Sequence, residues 1–175
     1  GMMGHSMGAA TAATTAALHP DLLAYVILED PPWFGEGGRS AWRRRGPAQS
    51  DQEKPTREEL VGQYKTRYPD WYPDDLEPWV EAKLQFRQHP PRERGPRRPW
   101  QEIAAAITCP ALLITGDPDL GAIVTPDVAQ EAQALMADAR VVRIDGAGHS
   151  IRRNQFEAYI EALRVFLNEA AGPVT

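Results

Sequence analysis

The chain has 175 residues, 42% of them hydrophobic, and a formal net charge of −5, with a sequence pI near 5.4. That is the length of one domain with enough apolar content to bury a core, and the acidic balance speaks against a general nucleic-acid binder. The single cysteine, Cys109, excludes an intramolecular disulfide and a cysteine-based metal cluster. Followed by Pro110 at the mouth of an apolar strand, it reads as a buried structural thiol. Residues 1–5 carry no basic region, and the alanine run after them is too short and hydroxyl-rich to span a bilayer. The chain therefore reads as soluble and cytoplasmic, with neither membrane nor nucleic acid as a partner.

Residues 4–8, Gly4-His5-Ser6-Met7-Gly8, fit the G-x-S-x-G pattern of a strand that ends in a sharp turn at a serine and passes at once into a helix. Both glycines are expected to relieve crowding across that turn. Residues 7–17, rich in alanine and threonine, predict a slim helix that ends before His19-Pro20. Residues 22–29 (LLAYVILE), bounded by Pro20-Asp21 and Asp30-Pro31-Pro32, predict a strand buried on both faces, as in a parallel sheet.

From residue 31 to about residue 99 the character changes. Most of the prolines lie there, all five tryptophans fall between Trp33 and Trp100, and arginines cluster at Arg43-Arg44-Arg45 and over residues 92–98. Thr56-Arg57-Glu58-Glu59 has the form of a capping box and predicts a helix to about Tyr68, and Asp74-Asp75 open a second helix to about Gln88. Residues 33–98 read as a helical cap inserted between core strands, least ordered over 35–52 and 90–99, where apolar anchors are scarce. The arginine clusters read as solvated surface.

Regular structure resumes with a short helix at 100–107, a buried strand at 110–115 (PALLIT) and the loop Gly116-Asp117-Pro118-Asp119. A helix over 126–136 and a last strand at 140–144 (RVVRI) follow, then Asp145-Gly146-Ala147-Gly148-His149-Ser150. Helix 154–170 closes the chain, with Phe156, Tyr159, Ile160, Leu163, Phe166 and Leu167 at helical spacing. Strands alternating with helices predict an α/β fold with a doubly wound, mostly parallel sheet.

With the elbow, PALLITGDPD and GAGHS in hand, the sequence resembles the α/β-hydrolase family over most of its length outside residues 33–98. It is similar to the carboxyl-terminal portion of such a protein, beginning at the nucleophile elbow. The resemblance implies a core formed by residues 1–32 and 99–175, a cap at 33–98, and serine hydrolase chemistry of esterase type on an ester or other acyl substrate, with no cofactor and no metal. It assigns Ser6 as nucleophile, His149 as base, Asp119 as the acid and the Met7 amide as an oxyanion donor. Asp117 and Asp30 stand as alternatives for the acid, because each also follows a strand. His5 matches a filler position of the motif, while His19 and His89 read as surface residues. A serine nucleophile sets the chain apart from the family's aspartate-nucleophile branches, the haloalkane dehalogenases and epoxide hydrolases; ester, thioester, amide and carbon–carbon bonds all stay open. The strands that precede the elbow in complete family members, and the second oxyanion donor among them, have no counterpart here. This implies either a missing amino-terminal half or a second copy of the chain pairing at the open strand edge. The alternative function is a non-catalytic hydrolase half serving as an assembly or binding module.

Overall fold

The computed structural model describes residues 1–36, 38, 55–69, 71–87 and 98–170. The elements, in chain order, are β1 (Met2–His5), α1 (Met7–Leu18), β2 (Val26–Glu29), α2 (Arg57–Arg67), α3 (Pro73–Arg87), α4 (Trp100–Ala105), β3 (Ala111–Thr115), α5 (Pro126–Leu135), β4 (Ala139–Arg143), α6 (Ile151–Asn154) and α7 (Phe156–Ala170). The chain divides into two units, Gly1–Gly46 with Arg98–Thr175, and Pro47–Arg97. No described helix is long and apolar enough to cross a membrane.

In the first unit the four strands form one parallel sheet in the order β1-β2-β3-β4. Its strands are apolar on both sides because both sides are covered. Val26, Leu28, Ala111 and Leu113 point to the face that packs on the alanines of α1 and on α5, while Ile27, Leu112 and Ile114 point to the face under Tyr159 and Phe166 of α7. Helix α1 lies close to the sheet because Ala9, Ala12, Ala13 and Ala16, at helical spacing, are its buried residues. Cys109 is buried at the start of β3, and burial pushes its thiol above the ordinary range.

Pairing of β2 begins at Val26, opposite Met2 and Ala111. Residues 22–24 do not join it, because the chain is still turning there, with Leu22 N–H bonded to the His19 carbonyl at 3.0 Å and the Leu22 side chain exposed, and Tyr25 contributes only its carbonyl, which accepts from Met2 N–H at 3.1 Å. Phe156, expected on the apolar stripe of the last helix, is also exposed. The first unit runs beyond residue 32. Trp33 is buried and stacked on Trp100 with ring centroids 5.2 Å apart, and Trp100 Nε1–H donates to the Phe34 carbonyl at 3.2 Å.

The second unit is a helical pair. The capping box read from the sequence is formed: Glu59 N–H donates to Thr56 Oγ1 at 3.2 Å, and Thr56 N–H donates to Glu59 Oε2 at 2.8 Å. Leu60, Leu76 and Val80 make its small core, beside which Tyr68 stacks on Trp71 at 4.3 Å and Trp79 meets Tyr64 edge-on at 3.9 Å. His89, Arg43-Arg44-Arg45 and most of residues 35–52 and 90–99 lie outside the described residues.

Enlarging a buried residue of α1 costs stability on the sheet-facing side only. Ala12→Leu lowers the unfolding free energy by about 1–3 kcal/mol through overpacking. At the exposed Thr11 a leucine changes it by less than about 0.5 kcal/mol, and urea denaturation of the two variants checks the contrast.

Candidate active site

Ser6 stands between the end of β1 and the start of α1 with φ 53° and ψ −120°. Its N–H donates to the Glu29 carbonyl at 2.9 Å, and its own carbonyl accepts the first helical bond, from Ala10 N–H at 3.1 Å. The hydroxyl makes no capping bond, so the helix start does not consume it. The Met7 amide falls in the first turn, where N–H groups have no partner within the helix. The tightness of the turn rests on Gly4, where a Cβ would lie 2.3 Å from the Gly8 carbonyl carbon and oxygen. Gly8 carries no such constraint, since a Cβ there meets nothing within 4 Å. The expectation that both glycines relieve the clash is corrected to Gly4 alone.

His149 follows β4 in the loop that leads to α6, and its ring lies 4.5 Å from that of His5, the residue before Ser6. Its Nδ1 is 2.6 Å from Oδ2 of Asp30. A carboxylate can only accept, so Nδ1 carries the proton and the neutral ring keeps Nε2 as a base. Asp30 is fully buried and accepts from the amides of Ile123, at 3.1 and 2.8 Å to its two oxygens, and Val124, at 2.9 Å. Its φ is 41°. Among the described residues, Ser6 and Asp30 are the non-glycine positions with left-handed φ. Such angles persist where surrounding bonds over-determine them, and they cluster at working sites.

The carboxylate bonded to His149 Nδ1 is Asp30, not the acid named first from the sequence. Asp119 lies exposed in the short 3-10 turn Pro118–Leu120, and Asp30 takes the imidazole instead. Asp117, the other alternative, is spent on the loop itself. Its Oδ2 accepts from Gly146 N–H at 2.6 Å, it pairs with Arg143, and its N–H donates to the Ala147 carbonyl at 2.7 Å. The Gly146 amide, followed by the Arg143 guanidinium, holds its carboxyl below the ordinary value. The loop after β3 thus serves the site through backbone amides, those of residues 123 and 124, rather than through either of its aspartates.

Behind the histidine lies a second polar group that the sequence reading missed. Glu29, the last residue of β2, is buried and accepts from Arg152 through its backbone N–H at 3.2 Å and its guanidinium at 2.8 Å. His5 pairs in register with Glu29 and donates from Nε2 to the His149 carbonyl at 2.7 Å. Burial lowers the pKa of His5, against the opposing charge of Glu29, so the ring is neutral near pH 7 and can make that bond as a donor. Tyr159, whose hydroxyl lies 3.5 Å from Met3 Sδ, is raised well above its ordinary value, first by burial and then by Glu29.

Comparison with known proteins bears on the fold. The model of the alpha/beta hydrolase family matches residues 2–162. Among solved structures, E-2-(acetamidomethylene)succinate hydrolase superimposes with a TM-score of 0.69 at 22% identity, covering 95% of this chain and 66% of that one. Proline iminopeptidase of Mycobacterium smegmatis gives 0.64 at 16% identity, covering 96% of this chain and 64% of that one. An esterase of M. tuberculosis gives 0.64 at 21% identity, covering 95% and 61%. The chain thus spans just under two thirds of the length of each of these structures. No curated protein sequence matches it.

Two outcomes follow from the geometry of the loops. Gly4→Ala destabilises the protein by about 1–3 kcal/mol or prevents folding, as overpacking against backbone does, whereas Gly8→Ala is tolerated, as denaturation midpoints will report. Asp117 has a lowered folded-state pKa, so its stabilisation is complete above the ordinary value of 3.8 and is lost as pH falls through the lower folded value. Asp117→Asn therefore lowers the urea midpoint at neutral pH, and its deficit against the parent shrinks below about pH 4.

Proposed function

Because the chain belongs to the alpha/beta hydrolase family and holds both a serine at left-handed φ in the elbow and a histidine on a buried aspartate, we propose that it is a serine hydrolase cleaving a carboxylic ester or related acyl bond. Ser6 is the nucleophile, His149 the base and Asp30, in place of Asp119, the acid. The observation that carries the reading is the 2.6 Å bond from His149 Nδ1 to Asp30, which fixes the one tautomer able to accept a proton at Nε2. His149 Nε2 takes the Ser6 proton as Oγ attacks the acyl carbon, and the Met7 amide donates to the developing oxyanion. The imidazolium, balanced by Asp30, protonates the leaving group. Water activated by the same ring then releases the acyl group from Ser6.

The reading includes a partner for the outer edge of β1, which no described strand pairs and whose Met3 is exposed. A strand supplied there, from a preceding segment of the same polypeptide, also carries the second oxyanion donor. Adding it raises turnover of an activated ester by about a hundredfold or more, the effect of one such donor. An unchanged rate would favour a non-catalytic module instead.

A fluorophosphonate probe is expected to label Ser6, as read by peptide mass, and Ser6→Ala to abolish labelling. Asp30→Asn lowers kcat by about 10³–10⁴, the loss that follows when the histidine tautomer is no longer fixed. Asp119→Asn leaves kcat within about threefold of the parent, as expected of an exposed position outside the site. Equal losses at Asp30 and Asp119, or labelling that survives Ser6→Ala, would overturn the assignment.

A further inference from the structure

The sequence places two carboxylates in succession at the end of β2, and only the second reaches the imidazole. Glu29 is turned to the other side, into a site with nearly no solvent, 1% exposed. A carboxylate there is tolerated only when its charge is met, and the cation that meets it is Arg152, through both backbone and side chain, with the Tyr159 hydroxyl as a further hydrogen-bonding neighbour. Arg152 is the second residue of α6, three positions after His149. The helix has no cap of its own, because the Ser150 side chain makes no capping bond. Glu29 supplies that acceptor from a different strand: its oxygen receives an N–H of the first turn, as a capping side chain would.

We propose that Glu29 is a positioning residue for His149, clamping the start of α6 so that the imidazole is held at a fixed distance from Ser6. The proposal rests on the catalytic reading above. His149 is then tied at three places: its ring to Asp30 at 2.6 Å, its carbonyl to His5 at 2.7 Å, and the helix that follows it to Glu29 at 3.2 and 2.8 Å. All three ties originate in residues 5, 29 and 30, at the carboxyl ends of β1 and β2, whose register places His5 opposite Glu29. The nucleophile shares the same anchor, since Ser6 N–H donates to the Glu29 carbonyl at 2.9 Å. The backbone of Glu29 thus sets the serine while its side chain sets the loop of the histidine. A displacement of about 1 Å between reacting groups costs on the order of a hundredfold in rate, so a clamp on this spacing acts on kcat and leaves substrate binding alone. The polar groups that face Glu29 are Arg152, Tyr159 and His5.

The test compares Glu29→Gln, Glu29→Ala and the double variant Glu29→Ala/Arg152→Ala, with ¹⁵N shifts of the histidine rings as a readout independent of turnover. Glu29→Gln keeps an acceptor for the Arg152 amide and is expected to hold kcat within about threefold and the His149 ring in its Nδ1–H tautomer. Glu29→Ala and the double variant Glu29→Ala/Arg152→Ala, which carries no unpaired buried charge, are expected to lose about 10- to 100-fold in kcat at unchanged KM, by misplacement, and to show mixed tautomers. The double variant keeps the question answerable if the single one does not fold. A folded double variant with parental kcat and a single Nδ1–H tautomer would overturn the proposal. So would an equal loss in Glu29→Gln, which would assign the effect to charge. If phosphonate labelling of Ser6 in the parent fails, the catalytic reading falls by itself, and the tautomer comparison still decides whether Glu29 holds the ring.

Discussion

Two adjacent carboxylates buried at the carboxyl end of β2 are the constraint around which the rest of the site is arranged. An ionised carboxylate without solvent is costly unless charge and hydrogen bonds meet it, so Glu29 and Asp30 dictate what must surround them. Asp30 draws in the amides of Ile123 and Val124 and the ring of His149; Glu29 draws in Arg152. Ile123, Val124 and His149 belong to the loops after β3 and β4, and Arg152 to the short helix α6 that follows the second of these loops, so the demand of the two acids gives each loop a defined course. Hydrogen bonds to an ionised partner are stronger than neutral ones, so the polar centre organises loops that the apolar core does not reach.

The same anchor explains how strain at the elbow is maintained. Ser6 and Asp30 both hold left-handed φ, which costs a non-glycine residue on the order of 1–3 kcal/mol each. Ser6 is fixed from both sides, by its N–H on Glu29 and by its carbonyl in the first bond of α1. Asp30 N–H donates to the Ile114 carbonyl at 2.9 Å while its side chain is bonded on both oxygens. Neither residue can relax without breaking bonds to neighbouring strands. Two residues that must not move are therefore built on the sheet rather than on free loops.

How much of this could be read in the sequence depends on whether the determinant is local. The elbow, α1, the capping box of Thr56 and Glu59 and the position of His149 after the last strand are set by residues a few positions apart, and the sequence reading placed them. Which carboxylate bonds the imidazole is not decided locally. Asp30, Asp117 and Asp119 each follow a strand, and the pattern of GDPD drew the assignment to residue 119. What separates them is which carboxylate receives amides from residues 123 and 124, and backbone amides leave no mark in a sequence. The pairing of Glu29 with Arg152 spans 123 positions and was invisible for the same reason. A usable signal was present nonetheless: two acids in succession at the end of a wholly apolar strand are hard to place unless both are partnered.

The distribution of these partners along the chain bears on what the sheet needs from its surroundings. Ser6, Glu29, Asp30, the amides of 123 and 124, His149 and Arg152 all lie at or after the elbow, on the side of β1 where β2, β3 and β4 follow. Their mutual bonds close within these four strands and the loops that follow them. The opposite edge of β1 contributes to none of them, so the relative placement of serine, histidine and acid is separable from whatever pairs with that edge. In the proposed mechanism oxyanion binding is not separable in the same way, because Met7 would provide one donor from α1 and a second would approach from outside this set of elements. On that reading nucleophile activation rests on the described strands and their loops, while part of the transition-state stabilisation would depend on whatever pairs with the edge of β1, and its absence would weaken the second while leaving the first in place.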